Sequence, residues 1–252
     1  MKIRIKFAKY GVMKFIGHLD VMRFFQKAIR RADIDIRFSE GFSPHPVMSF
    51  AAPLGVGMES LGEYLDIEVN SMTSAEEMKD ALNREMADGF SILSVRVLPD
   101  GSQNAMASVA AARYQIFYSD RQENGPCRFP IDRIEEKLAA FYARERIPMI
   151  KKTKKGEREL DLKPGIFELQ IQEIPHPFME EEKKCQAVSM LVDASSSGNI
   201  KPTMVLEAFC QDCGTCLTPY SYQVIRIDTM MRLSKEGENP RFVPLDFTSD
   251  CR

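Results

Sequence analysis

Side chains capable of chemistry crowd the first fifty positions of the chain. His18-Leu19-Asp20 sets an imidazole and a carboxylate close together, and Arg23, Lys27, Arg30 and Arg31 follow. Further on, Ser39-Glu40-Gly41-Phe42-Ser43-Pro44-His45-Pro46 holds a second imidazole between two prolines. The proline rings fix φ and so restrain His45, while Gly41 leaves the backbone free to take positive φ or to lie close to a ligand. A helix beginning near His18 adds unpaired N–H groups and the positive end of a dipole. Imidazoles and guanidinium groups around such an end suit a phosphate or other small anion. His18, Asp20 and His45 are then the candidates for acid–base work, with Arg23, Lys27, Arg30, Arg31, Glu40, Gly41, Phe42 and His45 as the binding set. The spacing predicts that His18, Asp20, Arg23 and His45 converge in one cleft. The plainer reading makes His18 a helix cap, Asp20 a first-turn stabiliser and His45 an ordinary loop residue.

These residues need elements to hold them. Alternation in Ile3-Arg4-Ile5-Lys6-Phe7 predicts a half-buried strand, ended by Gly11. From His18 to Ala32 the apolar Val21, Met22, Phe25, Ala28, Ile29 and Ala32 share one helical arc, and Arg23, Lys27, Arg30 and Arg31 share the opposite one. An apolar run Val47–Ala52 and an alternating strand Tyr64–Val69 come next. Ser74 with Glu77 three positions on forms a capping box for a helix to about Ala87, and a strand Ile92–Leu98 closes the series. The order β-α-β-β-α-β is that of a ferredoxin-like unit with an antiparallel sheet. Residues 108–252 repeat it: strands near Tyr114–Tyr118, Met149–Lys155, Phe167–Ile174, Ala187–Val192 and Val224–Met230, and helices near Ile131–Arg144 and Pro202–Phe209. The expected fold is therefore α+β, with a ferredoxin-like unit over 1–100, a linker near Pro99–Ala107, and a second such unit with an extra strand over 108–252.

Charge distribution points to an anionic partner. Net charge is −2, yet residues 1–50 hold ten Lys and Arg against four Asp and Glu, a balance of +6, and the rest hold 24 against 32, a balance of −8. Clustered cations, and not total charge, are what meets a polyanion. Lys151-Lys152-Thr153-Lys154-Lys155 forms a second basic run, read as a solvated hairpin. No run of about 18 apolar residues is present, and Met1-Lys2-Ile3-Arg4-Ile5-Lys6 lacks the apolar segment of a secretory signal, so a cytoplasmic protein without a membrane partner is expected.

Six cysteines in 252 residues are too few for a disulfide scaffold. Cys210, Cys213 and Cys216 stand at Cys-x-x-Cys-x-x-Cys spacing, and a fourth ligand for a metal would have to be Cys185, Cys127 or Cys251. No second Cys-x-x-Cys and no nearby histidine completes a tetrahedral set, so neither metal nor cofactor is expected. The spacing also differs from the three-and-two arrangement with which radical SAM enzymes hold their cluster. Walker, G-x-S-x-G, H-E-x-x-H and G-x-G-x-x-G motifs are absent.

Three stretches together carry a resemblance: Lys6-Phe7-x-Lys9-x-Gly11 with Phe15-Ile16-Gly17-His18-Leu19-Asp20-x-Met22-Arg23; Ser39–Pro46; and Pro53-Leu54-Gly55-Val56-Gly57-Met58-Glu59-Ser60 running to Glu63-Tyr64-Leu65-Asp66. In these the chain resembles the radical-SAM-linked family, whose members occur as separate chains or behind a radical SAM domain. Gly17 and Ser43 depart from residues common in that family, and beyond residue 100 the resemblance is diffuse. It implies a radical SAM protein as partner. Together with the charge pattern it leads to an accessory protein directed to RNA, in tRNA or rRNA modification. Tandem ferredoxin-like units also resemble the architecture of RNA-modifying enzymes such as pseudouridine synthases, where a catalytic Asp meets a basic cleft, and Asp20 is the position to match. The competing expectations are an enzyme for a small anionic substrate and a protein-binding module for the radical SAM partner.

Overall fold

A computed structural model describes residues 1–118, 128–153, 156–179, 184–218, 220–234 and 240–247. It is a mixed α/β fold with a large, mostly antiparallel sheet and few helices. Contacts group the chain into two units, Met1–Ala110 with Arg226–Arg252, and Ala111–Ile225. The C-terminal stretch from Arg226 groups with the first unit. The reason is a set of long-range ion pairs described below.

In the first unit, β1 (Lys2–Lys9), α1 (His18–Arg31), β2 (Met48–Phe50), β3 (Glu59–Glu68), α2 (Ala75–Arg84) and β4 (Phe90–Val97) follow the order read from the sequence. β1 pairs antiparallel with both β3 and β4, and β2 pairs with the far edge of β3, so that Ile67 faces Ile3 on one side and Met48 on the other. Ile3, Ile5 and Phe7 of β1 are buried against Val21, Phe25 and Ile29 of α1 and Met78 and Leu82 of α2. The rings of Phe7 and Phe25 lie 4.7 Å apart. Such a tilted aromatic pair adds about 0.5–1.5 kcal/mol beyond its area. The capping box at α2 is present, with Ser74 Oγ accepting from Glu77 N at 3.1 Å.

The second face of β1 departs from expectation. Alternation implied that Arg4 and Lys6 meet water, but Arg4 is only 4% exposed. It donates Nε to Asp66 Oδ1 at 2.8 Å and a terminal nitrogen to Asp66 Oδ2 at 3.0 Å, and it also reaches the backbone oxygens of Leu245 and Gln103. Asp66 in turn accepts from Ala105 N at 2.7 Å. The stretch expected as a linker is thus pinned, and it forms one short helical turn, α3 (Ala105–Ser108). Lys6 donates to Asp228 at 2.6 Å, and the Tyr64 hydroxyl lies 2.7 Å from Asp228 and 3.0 Å from Asp246. Burial and the two carboxylates push the Tyr64 hydroxyl far above its ordinary pKa, so it stays protonated. Gly62 allows the close approach of Asp228: a Cβ there would lie 2.7 Å from Ile227 O.

In the second unit, β5 (Ala111–Tyr118), α4 (Ile134–Tyr142), β6 (Pro148–Thr153), β7 (Gly156–Asp161), β8 (Ile166–Pro175), β9 (Lys184–Asp193) and α5 (Pro202–Asp212) succeed one another. β9 pairs antiparallel with β5 and β8, and β6 with β7 forms a separate hairpin. Phe141 of α4 and Phe209 of α5 meet in its core with ring centroids 5.5 Å apart. β10 (Tyr222–Arg232) begins in this unit and continues into the first, where it carries β11 (Phe242–Pro244). β7 and β11 were not anticipated, because neither has a strong apolar alternation. Among the described residues no helix is long and apolar enough to cross a membrane.

Candidate functional site

α1 presents its cations as the helical period requires. Val21, Phe25, Ala28 and Ile29 are buried, and Arg23, Lys27, Arg30 and Arg31 are exposed. Exposure is not availability, however. Arg23 faces Asp20 at 3.8 Å, and Arg31 donates to Glu85 Oε2 at 2.7 Å. Lys27 and Arg30 have no ion-pair partner among the described residues. The same count reduces the basic front half: Arg4 pairs with Asp66, Lys6 with Asp228, Lys14 with Glu59 and Arg37 with Glu68. Several partners lie far along the chain, so a tally over residues 1–50 overstates the free positive charge.

Lys27 and Arg30 border a groove of about 460 Å³ between α1 and the segment that leaves it. That volume is in the range of small-ligand sites. Phe38 and Pro46, joined by an isolated backbone bridge, also line it. Phe38 is 52% exposed, a large apolar ring facing water beside two cations. In the sequence Phe38 stands just before the loop and no motif marks it.

The loop itself is closed by Ser39 and His45. Ser39 N donates to His45 O at 2.9 Å, His45 N donates to Ser39 Oγ at 3.1 Å, and the Ser39 hydroxyl lies 2.9 Å from His45 Nδ1. Gly41 takes φ +112°, the freedom expected of it. Glu40 and His45 are exposed, and Phe42 is fully so. His45 is thereby oriented by its own loop, next to Pro46 and the groove.

His18 occupies a different place. It is the first residue of α1, does not cap the helix, and packs edge-on against Phe50 with ring centroids 5.2 Å apart. Its neighbours around a small crevice include Lys9, Glu63 and Val21. The crevice has room for about 10 Å³, less than a bound substrate needs and near the size of one water. Lys9 is buried and donates Nζ to Ile16 O at 2.9 Å; burial holds its pKa below the ordinary 10.5, and Glu63 partly offsets this. Glu63 is bound by Arg226 at 3.0 Å. No contact among the described residues joins His18, Asp20 or Arg23 to His45. Lys27 and Arg30 follow His18 by nine and twelve residues along one helix, roughly 14 and 18 Å. The expected single cleft resolves into two environments.

The cysteine cluster closes α5. Cys210 is buried, Cys213 is partly exposed and Cys216 exposed. Burial, the neighbouring Cys213 and Cys216 and then Glu207 push the Cys210 thiol up to about 11, and burial raises that of Cys213 despite Lys137 and Arg144. Thiols so shifted stay protonated near neutral pH in the metal-free protein. No group of three metal-ligating side chains is placed together among the described residues. Cys127 and Cys251, and Lys154 and Lys155 of the second basic run, lie outside those residues.

Comparison with known proteins adds a family. A search of curated proteins finds no match. A solved structure described as an unknown protein from Galdieria sulphuraria is 13% identical over 90% of this chain and 98% of that one, with a TM-score of 0.23, and it carries no argument. The family model described as "Uncharacterized protein conserved in bacteria (DUF2344)" matches residues 2–202. With that much of its length matched, the chain belongs to this DUF2344 family of bacterial proteins.

Proposed function

We propose that this protein is an RNA-directed accessory to a radical SAM enzyme, working in the cytoplasm on tRNA or rRNA, with α1 and the Phe38–Pro46 turn as the face that meets the strand. One observation carries the reading: Lys27 and Arg30, unpaired among the described residues, border the same groove as the exposed ring of Phe38. Cations track a phosphate backbone and an exposed aromatic ring accepts a stacked base, which is the combination single-stranded nucleic acid requires. The radical SAM association rests on the resemblance of residues 6–66. The strand order β4-β1-β3-β2, antiparallel throughout, supports reading the first unit as ferredoxin-like, and β5-β9-β8 with α4 and α5 supports the same for the second, with β6–β7 as an insertion. Shared architecture alone assigns no activity. The small-anion enzyme is less well supported, because His18 and His45 do not share a site and Asp20 is an exposed partner of Arg23.

Filter binding of a single-stranded RNA of about ten nucleotides tests this. Phe38→Ala removes a stack worth about 1–3 kcal/mol and should weaken binding by about fivefold or more. Wild-type protein that binds no RNA at low salt would leave the small-anion enzyme and the protein-docking module as the remaining readings, the latter tested by co-purification with a radical SAM protein.

A further inference from the structure

We infer that the groove beside α1 selects guanine among unpaired bases, with Asp33 as the residue that reads it. The inference rests on the RNA reading above and adds a base identity to it.

Charge of both signs borders this groove. Lys27, Arg30, Asp33 and Asp35 all line it, together with Phe38 and Pro46. Asp33 also borders the adjoining groove, where Glu77 and Asp80 add further negative charge. In this inference a bound nucleotide turns its phosphate toward Lys27 and Arg30, its base edge toward the acids and its ring face against Phe38. An ionised carboxylate accepts hydrogen bonds and donates none.

Asp35 is already engaged, since Asn70 Nδ2 donates to one oxygen at 2.8 Å and Ser71 Oγ to the other at 2.7 Å. Asp33 has no such partner among the described residues. It follows the last turn of α1 at φ +54°, with Asp33 N donating to Arg30 O at 3.3 Å, so the turn that ends the helix also sets this carboxylate at the groove.

The Watson–Crick edge that suits a lone carboxylate is guanine's. Its N1–H and N2 amino group are adjacent donors and can meet both oxygens at once, the bidentate arrangement that gives the strongest geometry. Adenine and cytosine set an acceptor nitrogen beside their amino group, and uracil flanks its N3–H with two carbonyls, so each places a lone pair against the carboxylate.

The test uses fluorescence anisotropy with three labelled strands: eight uridines, and the same strand with one central guanosine or one central adenosine. The guanosine strand should bind wild-type protein about tenfold more tightly than the other two, in line with bidentate discrimination between bases. Inosine in place of guanosine, which lacks the N2 amino group, should lose most of that advantage without any change to the protein. Asp33→Asn should bring the three strands to within about twofold of one another, chiefly through loss of affinity for the guanosine strand; asparagine tolerates the positive φ, so the turn survives. Equal binding of guanosine and adenosine strands by the wild type, or a guanine preference kept in D33N, overturns the inference but leaves RNA binding standing. Failure of all three strands to bind at low salt overturns the RNA reading itself.

Discussion

Arg31 donates Nε to Glu85 Oε2 at 2.7 Å and a terminal nitrogen to the Glu85 backbone oxygen at 3.0 Å, tying the end of α1 to the end of α2. Arg30, its neighbour in sequence, makes no such pair among the described residues. The two arginines should therefore respond oppositely. Arg31→Ala is expected to lower stability by about 0.2–1 kcal/mol, the range for a solvent-exposed ion pair, with little change in RNA affinity. Arg30→Ala should change stability by less than about 0.5 kcal/mol and weaken RNA binding severalfold. Urea denaturation and filter binding on both variants separate the roles; the reverse pattern would mean that Arg31 and not Arg30 meets the ligand.

Glu63 and Arg226 form an ion pair buried in the first unit, with Arg226 also directed toward the Ala52 and Pro53 oxygens. Removing one partner strands a buried charge. Arg226→Met should cost about 3–5 kcal/mol, and the double variant Glu63→Leu with Arg226→Met should recover most of that loss. A double variant no more stable than the single would show that the arginine's backbone contacts, and not the charge pair, hold β10 to this unit.

Lys9 provides a pH signature. Its native pKa lies below 10.5, so over the window between that lowered value and 10.5 the unfolded chain binds a proton that the native chain lacks. Stability contributed by this group then rises with pH across the window. Lys9→Met should be at least as stable as wild type at pH 7, and its advantage should shrink as pH approaches 10.5. An advantage that grows with pH would contradict a Lys9 ammonium whose burial outweighs its compensation by Glu63.

How much of this was legible in the sequence varies by element. The apolar arc of α1 and the capping box at Ser74 were, because both follow from local period and local hydrogen bonding. Arg4 and Lys6 were not: alternation marked their face as polar, and only strand pairing brings Asp66 and Asp228 to cover it. The groove was half legible. Lys27 and Arg30 stood out by charge, but their difference from Arg31 depends on Glu85, a partner 54 residues away. Phe38 and Asp33 lacked any pattern, since a ring's exposure and a carboxylate's lack of partners are properties of the folded chain alone.

Thiol reactivity should follow burial among the described cysteines. Cys216 is exposed and should alkylate first, Cys213 more slowly, and Cys185 and Cys210 only on unfolding, with Cys210 further protected by a pKa of about 11. Peptide mapping after timed iodoacetamide treatment reads this order directly. Rapid labelling of Cys210 in native protein would mean that α5 opens readily.

The salt dependence of RNA affinity tests the central claim most directly. Each phosphate neutralised on a single strand adds about −0.7 to the slope of log affinity against log salt. If Lys27 and Arg30 are the backbone contacts, the double variant Lys27→Ala with Arg30→Ala should bind more weakly and show a slope shallower by about 1.4, with its thermal midpoint close to that of wild type. An unchanged slope in this variant, measured on protein that is still folded, would contradict the account.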